Sequence, residues 1–327
     1  MKIQYTQPVR LVPVSVPKPW GQEIWFTGME VRGESRVLTT DGQALPISTY
    51  LQHDTHAASA NESVLLLKIL DPKPDPVSGD LYFEVHSEKR EVYIVTHVDA
   101  AAWPNGLGGI RFGMSQEKRA ELGDEALRTE YLKAVQSYEK VRRAIDAGTQ
   151  SPFLVMQEMA LRKRMESFTH LRPLRVGEVV HVPIWFPHAL QHGVRVVEFQ
   201  TATYERLIVS FAQKVLTQDH WDTETAIRGM SLDPGVVQPP EVISKGIERI
   251  ARFDHFNVWR TQHHAGVFSL PEHIPYAVVM AVGGSARVGD LALEAECAAF
   301  IPHEALAITR LETSAADSAL LIAAPEL

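Results

Sequence analysis

The residues best suited to chemistry in this chain lie in one short stretch, where carboxylates flank an imidazole. Glu84 and His86 are two residues apart in an apolar segment, so on a β-strand both side chains project from the same face. Residues 87–90 are polar, and Glu91 then begins a second strand-like segment. We predict a hairpin here that returns Glu91 to the side of His86. One imidazole and two carboxylates around one point predict a divalent-metal site with nitrogen and oxygen ligands.

A second stretch, much later in the chain, supplies a further histidine. Gly177, Pro183, Trp185 and His188 follow one another with the spacing Gly-x5-Pro-x-Trp-x2-His. Together the two stretches resemble the paired metal-site motifs of the cupin superfamily, whose strands form jelly-roll barrels. The resemblance implies that His188 completes the ligand set. Three positions depart from the usual motifs, which have a histidine where Glu84 stands, a glycine where Trp185 stands and an asparagine where His192 stands.

The elements that must position these residues are mainly strands. The apolar run 64–70 has the length of a buried strand, and short strands with glycine and proline turns return from residue 177 onwards. Between the two motifs, apolar residues recur at helical spacing. We therefore predict a mainly β chain of two cupin barrels, with a helical insertion over residues 115–167 in the first barrel.

The predicted domain limits follow from composition along the chain. We assign residues 1–230 to a metal-binding catalytic cupin, 231–252 to a linker with a short helix, and 253–327 to a second cupin-like β domain. A proline-rich segment from 233 to 240 marks the linker. His263, His264 and His303 have no companions at ligand spacing, so the second domain is predicted to hold no metal.

Composition excludes several classes of partner. The 327 residues are 45% hydrophobic and 22% charged, as in ordinary globular proteins. The formal net charge of −8, with no dense basic cluster, argues against nucleic-acid binding. No apolar run reaches the length of about 18 residues that a membrane span needs. Cys297 is the only cysteine, which excludes an intrachain disulfide and favours the reducing cytoplasm.

Short segments beyond the cupin motifs resemble one family. They lie at residues 19–25, 67–71, 84–86, 89–91, 182–183, 187–189 and 198–200. Their sequences are similar to segments of type I mannose-6-phosphate isomerase, a zinc-dependent cupin enzyme. The resemblance covers most of residues 15–215 and is faint beyond them. It implies a double cupin fold, a bound Zn²⁺ and interconversion of mannose 6-phosphate and fructose 6-phosphate, with a small-molecule sugar phosphate as the partner.

The resemblance implies a ligand set with one unusual member. The metal ligands would be Glu84, His86, Glu91 and His188. The family has glutamine where this chain has Glu84, so the site gains a negative charge. The extra carboxylate makes Fe²⁺ or Mn²⁺ conceivable alternatives to Zn²⁺.

The resemblance also implies three catalytic residues. Lys89 matches the family's active-site lysine, and Glu198 matches a glutamate proposed as an acid/base. Arg206 stands near the family's substrate-facing arginine, although the spacing is shorter and an aspartate of that segment is missing. Aldose–ketose isomerisation moves a proton between adjacent carbons, which requires an acid/base group and cations beside the substrate oxygens.

Two other interpretations stay open at this point. A non-haem iron oxygenase, or another metal-dependent cupin enzyme, would use the same ligands. A non-catalytic sugar-binding or regulatory cupin would explain the missing aspartate near Arg206, but such a decayed site has little reason to keep four metal ligands. The sequence leaves the sugar and the oligomeric state open.

Overall fold

The computed structural model describes residues 5–39, 42–52, 64–149, 151–213, 220–262, 265–271 and 273–326. Within these ranges the chain is mainly β, and its longer helices lie between the two motif-bearing groups of strands. The predicted fold class, a mainly β chain with a helical insertion, is therefore confirmed. His263 and His264 lie outside the described residues.

The strands of the first part of the chain are β1 (Val9–Val12), β2 (Val14–Lys18), β3 (Gly21–Trp25), β4 (Met29–Glu30), β5 (Gly33–Glu34), β6 (Arg36–Leu38), β7 (Ala44–Pro46), β8 (Leu66–Pro72), β9 (Phe83–Val85), β10 (Glu91–Val98), β11 (Gly108–Met114), β12 (Thr169–Leu174), β13 (Val179–Val182), β14 (His188–Leu190), β15 (Val194–Gln200) and β16 (Leu207–Ser210). The later strands are β17 (Glu241–Ser244), β18 (Ile247–Arg252), β19 (Phe256–Thr261), β20 (Gly266–Ser269), β21 (Ala277–Val282), β22 (Ala286–Val288), β23 (Leu291–Leu293), β24 (Ala298–Ile301), β25 (Arg310–Thr313) and β26 (Ala319–Pro325). The helices are α1 (Ile47–Leu51), α2 (Gln116–Leu122), α3 (Asp124–Asp146), α4 (Pro152–Glu166), α5 (Thr223–Gly229) and α6 (His303–Leu306).

The first barrel is built from two sheets that face each other. One has the strand order β13-β10-β15-β8-β3-β2 and the other β12-β11-β14-β9-β16. Side chains of both sheets share one buried cluster, including Tyr93 and Val95 of β10, Ile110 of β11 and Leu190 of β14. Because side chains alternate along a strand, Ile94 points the opposite way, into a different cluster. The barrel interior therefore receives every second residue of β10.

The second barrel has a large sheet with the order β17-β18-β19-β26-β21-β24-β1-β6-β7 and a smaller one with the order β20-β25-β22-β23. Val279, Leu320 and Leu311 fill the space between them. The other face of the large sheet packs on the six-stranded sheet of the first barrel, where Met280 and Leu321 join the same buried cluster as Ile94. The two barrels thus share a continuous apolar layer.

The amino-terminal strands belong to the large sheet of the second barrel. β1 pairs with β24 and places Val9 opposite Phe300, and β6 pairs with the other edge of β1. The domain limits 1–230 and 253–327 stay a prediction. Because β1 belongs to the large sheet of the second barrel and β2 to the six-stranded sheet of the first, the chain crosses from the second barrel to the first between these two strands.

The helical insertion covers the outer face of the five-stranded sheet. Phe83 and Ala189 on that face share a buried cluster with Tyr131, Val135 and Tyr138 of α3. The apolar residues of α3 recur every three or four positions, which gives the helix one face to bury. The helix pair α3 and α4 therefore supports the strands that carry two predicted metal ligands.

The predicted hairpin between Glu84 and Glu91 was wrong. β9 pairs with β14 and β16, whereas β10 pairs with β13 and β15 in the opposite sheet. Residues 86–90 therefore cross from one sheet of the barrel to the other. The backbone N–H groups of Ser87 and Glu88 donate to the Glu205 carboxylate instead of to a partner strand. The predicted proximity of Glu91 and His86 still holds, because the crossing is short.

The short helix predicted within 231–252, over residues 241–251, was also wrong. These residues form the antiparallel pair β17 and β18, with Glu241 opposite Arg249. Gly246 takes a φ of 87° between the strands, a conformation that glycine adopts without steric cost. A short segment of mixed apolar and charged residues fits the helical period and the strand period about equally well. Its periodicity therefore does not distinguish a helix from a pair of strands.

Among the described residues, no helix is both long enough and apolar enough to cross a membrane.

Candidate metal centre and its pocket

Three of the predicted ligands come from one end of the five-stranded sheet. β9 and β14 pair with Glu84 directly opposite His188. His86 follows β9 and projects from the same face as Glu84, as the two-residue spacing predicts. The His86 and His188 side chains are buried, and Glu84 is largely buried. Strand register therefore brings together two motifs that are far apart in sequence.

Backbone carbonyls fix the orientation of both imidazoles. Nδ1 of His86 lies 3.0 Å from the carbonyl oxygen of Glu205, and Nδ1 of His188 lies 3.0 Å from that of Phe186. A carbonyl only accepts hydrogen bonds, so each Nδ1 carries the proton. With the proton on Nδ1, Nε2 is the ring nitrogen that can offer a lone pair to a metal. This is the usual arrangement behind metal-binding histidines.

The atoms left over converge on one point. Nε2 of His86, Nε2 of His188 and Oε2 of Glu84 are buried and have no hydrogen-bond partner within the described part of the chain. Glu84, His86 and His188 each offer a ligand atom within 4.8 Å of the others. Leaving a buried polar atom without a partner costs about 1–3 kcal/mol. A divalent cation would satisfy all three atoms at once, and nitrogen and oxygen donors suit Zn²⁺, Fe²⁺ or Mn²⁺.

Glu91, the fourth predicted ligand, approaches from the opposite sheet. Its Oε2 lies 3.1 Å from Nε2 of His188 and 3.5 Å from Nε2 of His86. If both Nε2 atoms lack protons, these are contacts between electron-rich atoms, and a cation among them would remove the repulsion. Burial opposes ionisation of Glu91, but the neighbouring Lys89 charge outweighs it, and the pKa of Glu91 lies well below the usual value. An ionised Glu91 fits a ligand role.

The pKa of His86 also fits metal binding. Burial is the main cause that lowers this pKa, and the neighbouring Lys89 charge adds to it. The ring is therefore neutral at physiological pH, as a metal ligand must be.

Trp185 explains how the chain departs from the usual second motif. It stands at the motif's second glycine position and has a φ of 59°, in the left-handed region that glycine favours. Its backbone N–H donates to the carbonyl oxygen of His86 at 2.6 Å. Its ring lies against Gly229 of α5, where a Cβ would come within 2.4 Å of the ring. Packing against α5 holds the strained residue where it helps to position His86.

Lys89 is buried and is one of the residues that line the pocket beside the site. Its Nζ forms an ion pair with Oε1 of Glu91. Burial would lower the pKa of Lys89, but Glu91 and Glu198 raise it above the usual value. The lysine is therefore a fixed positive charge beside the predicted ligands.

Glu198 lies in β15 with 1% of its surface exposed. Its Oε1 is 3.5 Å from Nζ of Lys68. Burial and the nearby Glu91 carboxylate raise the pKa of Glu198 to about 8, against the opposing charges of Lys68 and Lys89. A carboxyl group with a pKa near neutrality can both accept and return a proton, as an acid/base group must.

Glu84, Lys89, Glu91 and Glu198 line a pocket of about 250 Å³. Several other charged side chains of this pocket lie outside the sequence motifs. Lys18 pairs with Glu23 at 3.1 Å, and Lys68 lies 3.9 Å from the same carboxylate. The sequence does contain a signal for Lys68. A charged residue inside the apolar run 64–70 is expected to be buried and therefore to need a partner of opposite charge. No local pattern in the sequence marks Lys18 or Arg32. The pairing of β2 with β3 brings Lys18 to the pocket, and the short β4–β5 ribbon brings Arg32 there.

Arg206 also lines the pocket, so the chain does carry a cation near the position that the resemblance implies. Its guanidinium lies 4.5 Å from the centre of the Tyr82 ring. Burial is the first cause that lowers the pKa of Lys18, and the charges of Lys68 and Arg206 lower it further. Lys18 and Arg206 are therefore two cations of this pocket that lie close enough for their charges to interact.

Comparison with known proteins finds similarity in structure only. No protein-family model matches the chain, and no curated protein matches it. The mannose 6-phosphate isomerase from Bacillus subtilis is 15% identical with a TM-score of 0.68, over 97% of this chain and 99% of its own. A mutant phosphomannose isomerase from Salmonella typhimurium is 14% identical with a TM-score of 0.72, over 98% and 100%.

A zinc-bound mannose 6-phosphate isomerase is likewise 14% identical, with a TM-score of 0.72 over 98% of this chain and 100% of its own. At such identities the likeness shows the fold. The predicted double cupin fold and the resemblance to these isomerases are confirmed at that level. The roles of individual residues are not tested by it.

We expect His86→Ala to abolish tight binding of a divalent ion, because it removes one of the converging lone pairs. Elemental analysis of protein prepared with metal in excess would measure this. Glu84→Gln should retain the ion, because the amide oxygen has the same reach. His181→Ala is the matched control, since Nε2 of His181 lies 2.7 Å from the carbonyl oxygen of Ile250 and faces away from the site. Equal metal content in all variants would contradict the assignment.

We expect Glu23 to make stability depend on acid pH. Burial opposes its ionisation, but Lys68, Lys18 and the Trp25 N–H lower its pKa to about 2. The unfolded chain binds this proton with a pKa near 4.3, so Glu23 stabilises the fold above that pH and loses its effect as pH falls towards 2.

Urea unfolding of metal-free protein would test this dependence. Glu23→Gln should lower the free energy of unfolding by about 2–3 kcal/mol at pH 7, and the difference should narrow below pH 4. Glu121→Gln, at an exposed position, is the control. A difference that stays constant with pH would refute the ion-pair explanation.

Proposed function

We propose that this protein is a metal-dependent aldose–ketose isomerase acting on a sugar phosphate, with mannose 6-phosphate and fructose 6-phosphate as the substrate pair. The observation that carries the proposal is the site itself. Buried ligand atoms of Glu84, His86 and His188, without hydrogen-bond partners among the described residues, converge at a pocket that Glu198 also lines, and the pKa of this buried carboxyl group is raised to about 8. A cation site next to a poised acid/base group is what proton transfer between adjacent carbons needs.

The proposed role of each residue follows from its position in the site. Glu84, His86, Glu91 and His188 would hold the ion, for which we propose Zn²⁺, with Fe²⁺ or Mn²⁺ as alternatives. When bound, the ion supplies Lewis acidity to the two substrate oxygens.

Two buried residues beside the ligands would handle the proton and the charge. Glu198 takes the proton from one carbon and returns it to its neighbour, and its burial excludes competing water. Lys89, fixed against Glu91, stabilises negative charge that develops at this end of the pocket.

The charge of the pocket supports a phosphorylated substrate. Five basic residues line it, matched by five carboxylates: Lys18, Arg32, Lys68, Lys89 and Arg206, with Glu23, Glu84, Glu91, Glu198 and Glu205. A bound divalent ion would leave the pocket positive, which favours an anion in a chain of net charge −8. Arg206 and Lys18 are the cations we propose for the phosphate.

The similar solved structures support the same assignment. Two are mannose 6-phosphate isomerases, and one of these has zinc bound. The single cysteine of this chain agrees with the proposed cytoplasmic location.

A substrate panel tests the proposal. Phosphorylated and free hexoses and pentoses would be assayed for aldose–ketose conversion by metal-loaded enzyme. Turnover of mannose 6-phosphate above all others is the expected result. Turnover of free sugars alone would indicate a neutral-sugar isomerase. Sugar binding without turnover would indicate a non-catalytic cupin, and oxygen consumption with bound iron would indicate an oxygenase.

We expect Glu198→Gln to lower kcat by about 10²–10⁴-fold, because an amide cannot transfer the proton. Metal content should not change, since Glu198 is not among the proposed ligands. The control is Glu158→Gln, which alters a buried glutamate that accepts from Tyr138 in the helical insertion. Full activity in Glu198→Gln would remove this residue from the mechanism.

We expect Arg206→Met to raise KM for the sugar phosphate by about ten- to a hundredfold, because a charge-assisted contact is lost. Turnover of the matching free sugar should change little. Arg172→Met serves as control, since this arginine lies over the Phe112 ring at 5.7 Å, outside the pocket. Equal losses on both sugars would exclude a phosphate contact.

A further inference from the structure

Tyr93 is a buried residue of the pocket that neither the motifs nor the resemblance marks. It lies in β10 two residues after Glu91, so both side chains project into the barrel. Only 3% of its surface is exposed. Its hydroxyl donates to Oε2 of Glu91 at 2.8 Å, and its ring centre lies 6.0 Å from that of His188.

The two oxygens of Glu91 have different surroundings. Oε1 is paired with the Lys89 ammonium, which blocks that oxygen on one side. Oε2 accepts from Tyr93 and is the oxygen that lies 3.1 Å from Nε2 of His188 and 3.5 Å from Nε2 of His86. Lys89 and Tyr93 together therefore fix the rotation of the carboxylate, with Oε2 turned towards both imidazoles.

We propose that Tyr93 is a positioning residue for the metal centre, which acts by holding Oε2 of Glu91 as the single oxygen presented to the ion. This inference rests on the proposed metal site. A hydroxyl that orients a ligating carboxylate reduces the freedom the ligand must lose on binding, and such partners typically change metal affinity by 10–100-fold.

The chain contains a matched pair for separating this role from ordinary core packing. Tyr138 of α3 is also fully buried, and its hydroxyl also donates to a buried carboxylate, Oε1 of Glu158, at 3.1 Å. That pair lies in the helical insertion, away from the metal ligands. Removing either hydroxyl costs one buried hydrogen bond, but only Tyr93 touches a predicted ligand.

The test is the metal dissociation constant of Tyr93→Phe, measured by competition with a chelator for Zn²⁺ and for Mn²⁺. We expect Tyr93→Phe to weaken binding by about tenfold or more, with Tyr138→Phe unchanged. Tyr93→Met removes the same hydroxyl with a more adaptable side chain, and it must show the same loss if Phe packs poorly. Thermal melting of the metal-free variants checks that each one folds.

A double-mutant cycle shows whether Tyr93 acts through Glu91. In a Glu91→Ala background, Tyr93→Phe should change the dissociation constant by less than about twofold, because the oxygen that Tyr93 holds is gone. An unchanged affinity in Tyr93→Phe, or an equal loss in both backgrounds, would overturn the inference. Metal binding is measured without substrate. A lack of isomerase activity would therefore count against the proposed function and leave the role of Tyr93 standing.

Discussion

The structure of the site depends on two buried imidazoles whose inward-facing nitrogens have no hydrogen-bond partner among the described residues. His86 and His188 each give a proton to a backbone carbonyl, which leaves bare lone pairs facing the barrel interior beside a Glu84 oxygen. Such atoms are costly in a dry interior unless a cation is bound. The strain of Trp185 and the short crossing between β9 and β10 make sense as supports for these two rings, since each fixes backbone next to a ligand.

Around this centre, positive and negative side chains lie next to each other, so each one partly neutralises the charge of its neighbour. Lys68 lies between the carboxylates of Glu23 and Glu198, and Lys89 pairs with Glu91. Among these groups, the pKa values of two neighbouring carboxyl groups are shifted in opposite directions. The pKa of Glu91 is well below its usual value, whereas that of Glu198 rises to about 8. Two adjacent carboxylates rarely ionise together, and the ammonium of Lys89 decides which one does. The arrangement fits the proposed ligand role of Glu91 and the proposed acid/base role of Glu198.

The fold supports these charges with apolar layers on both sides. The helical insertion, the two sheets of the first barrel and the large sheet of the second barrel stack in sequence. Local pattern predicted the strands and the insertion, because apolar periodicity is a property of a few neighbouring residues. It failed for residues 241–251, where a glycine turn decided between helix and hairpin. It also failed for the connection after β9, where the sheet that each strand joins depends on distant partners.

The sequence by itself determined the types and local spacing of the groups that face the proposed metal site. The two-residue separation places Glu84 and His86 on one face, the motif spacings predict Glu91 and His188 as further ligands, and the family resemblance predicts Glu198. Only the tertiary structure decided which other charges reach the pocket. Lys18, Arg32 and Lys68 come from separate strands, and the hydroxyl of Tyr93 matters only because Glu91 turns towards it. Side-chain alternation is local, whereas the meeting of distant strands is set by sheet register, which depends on the packing of the whole chain.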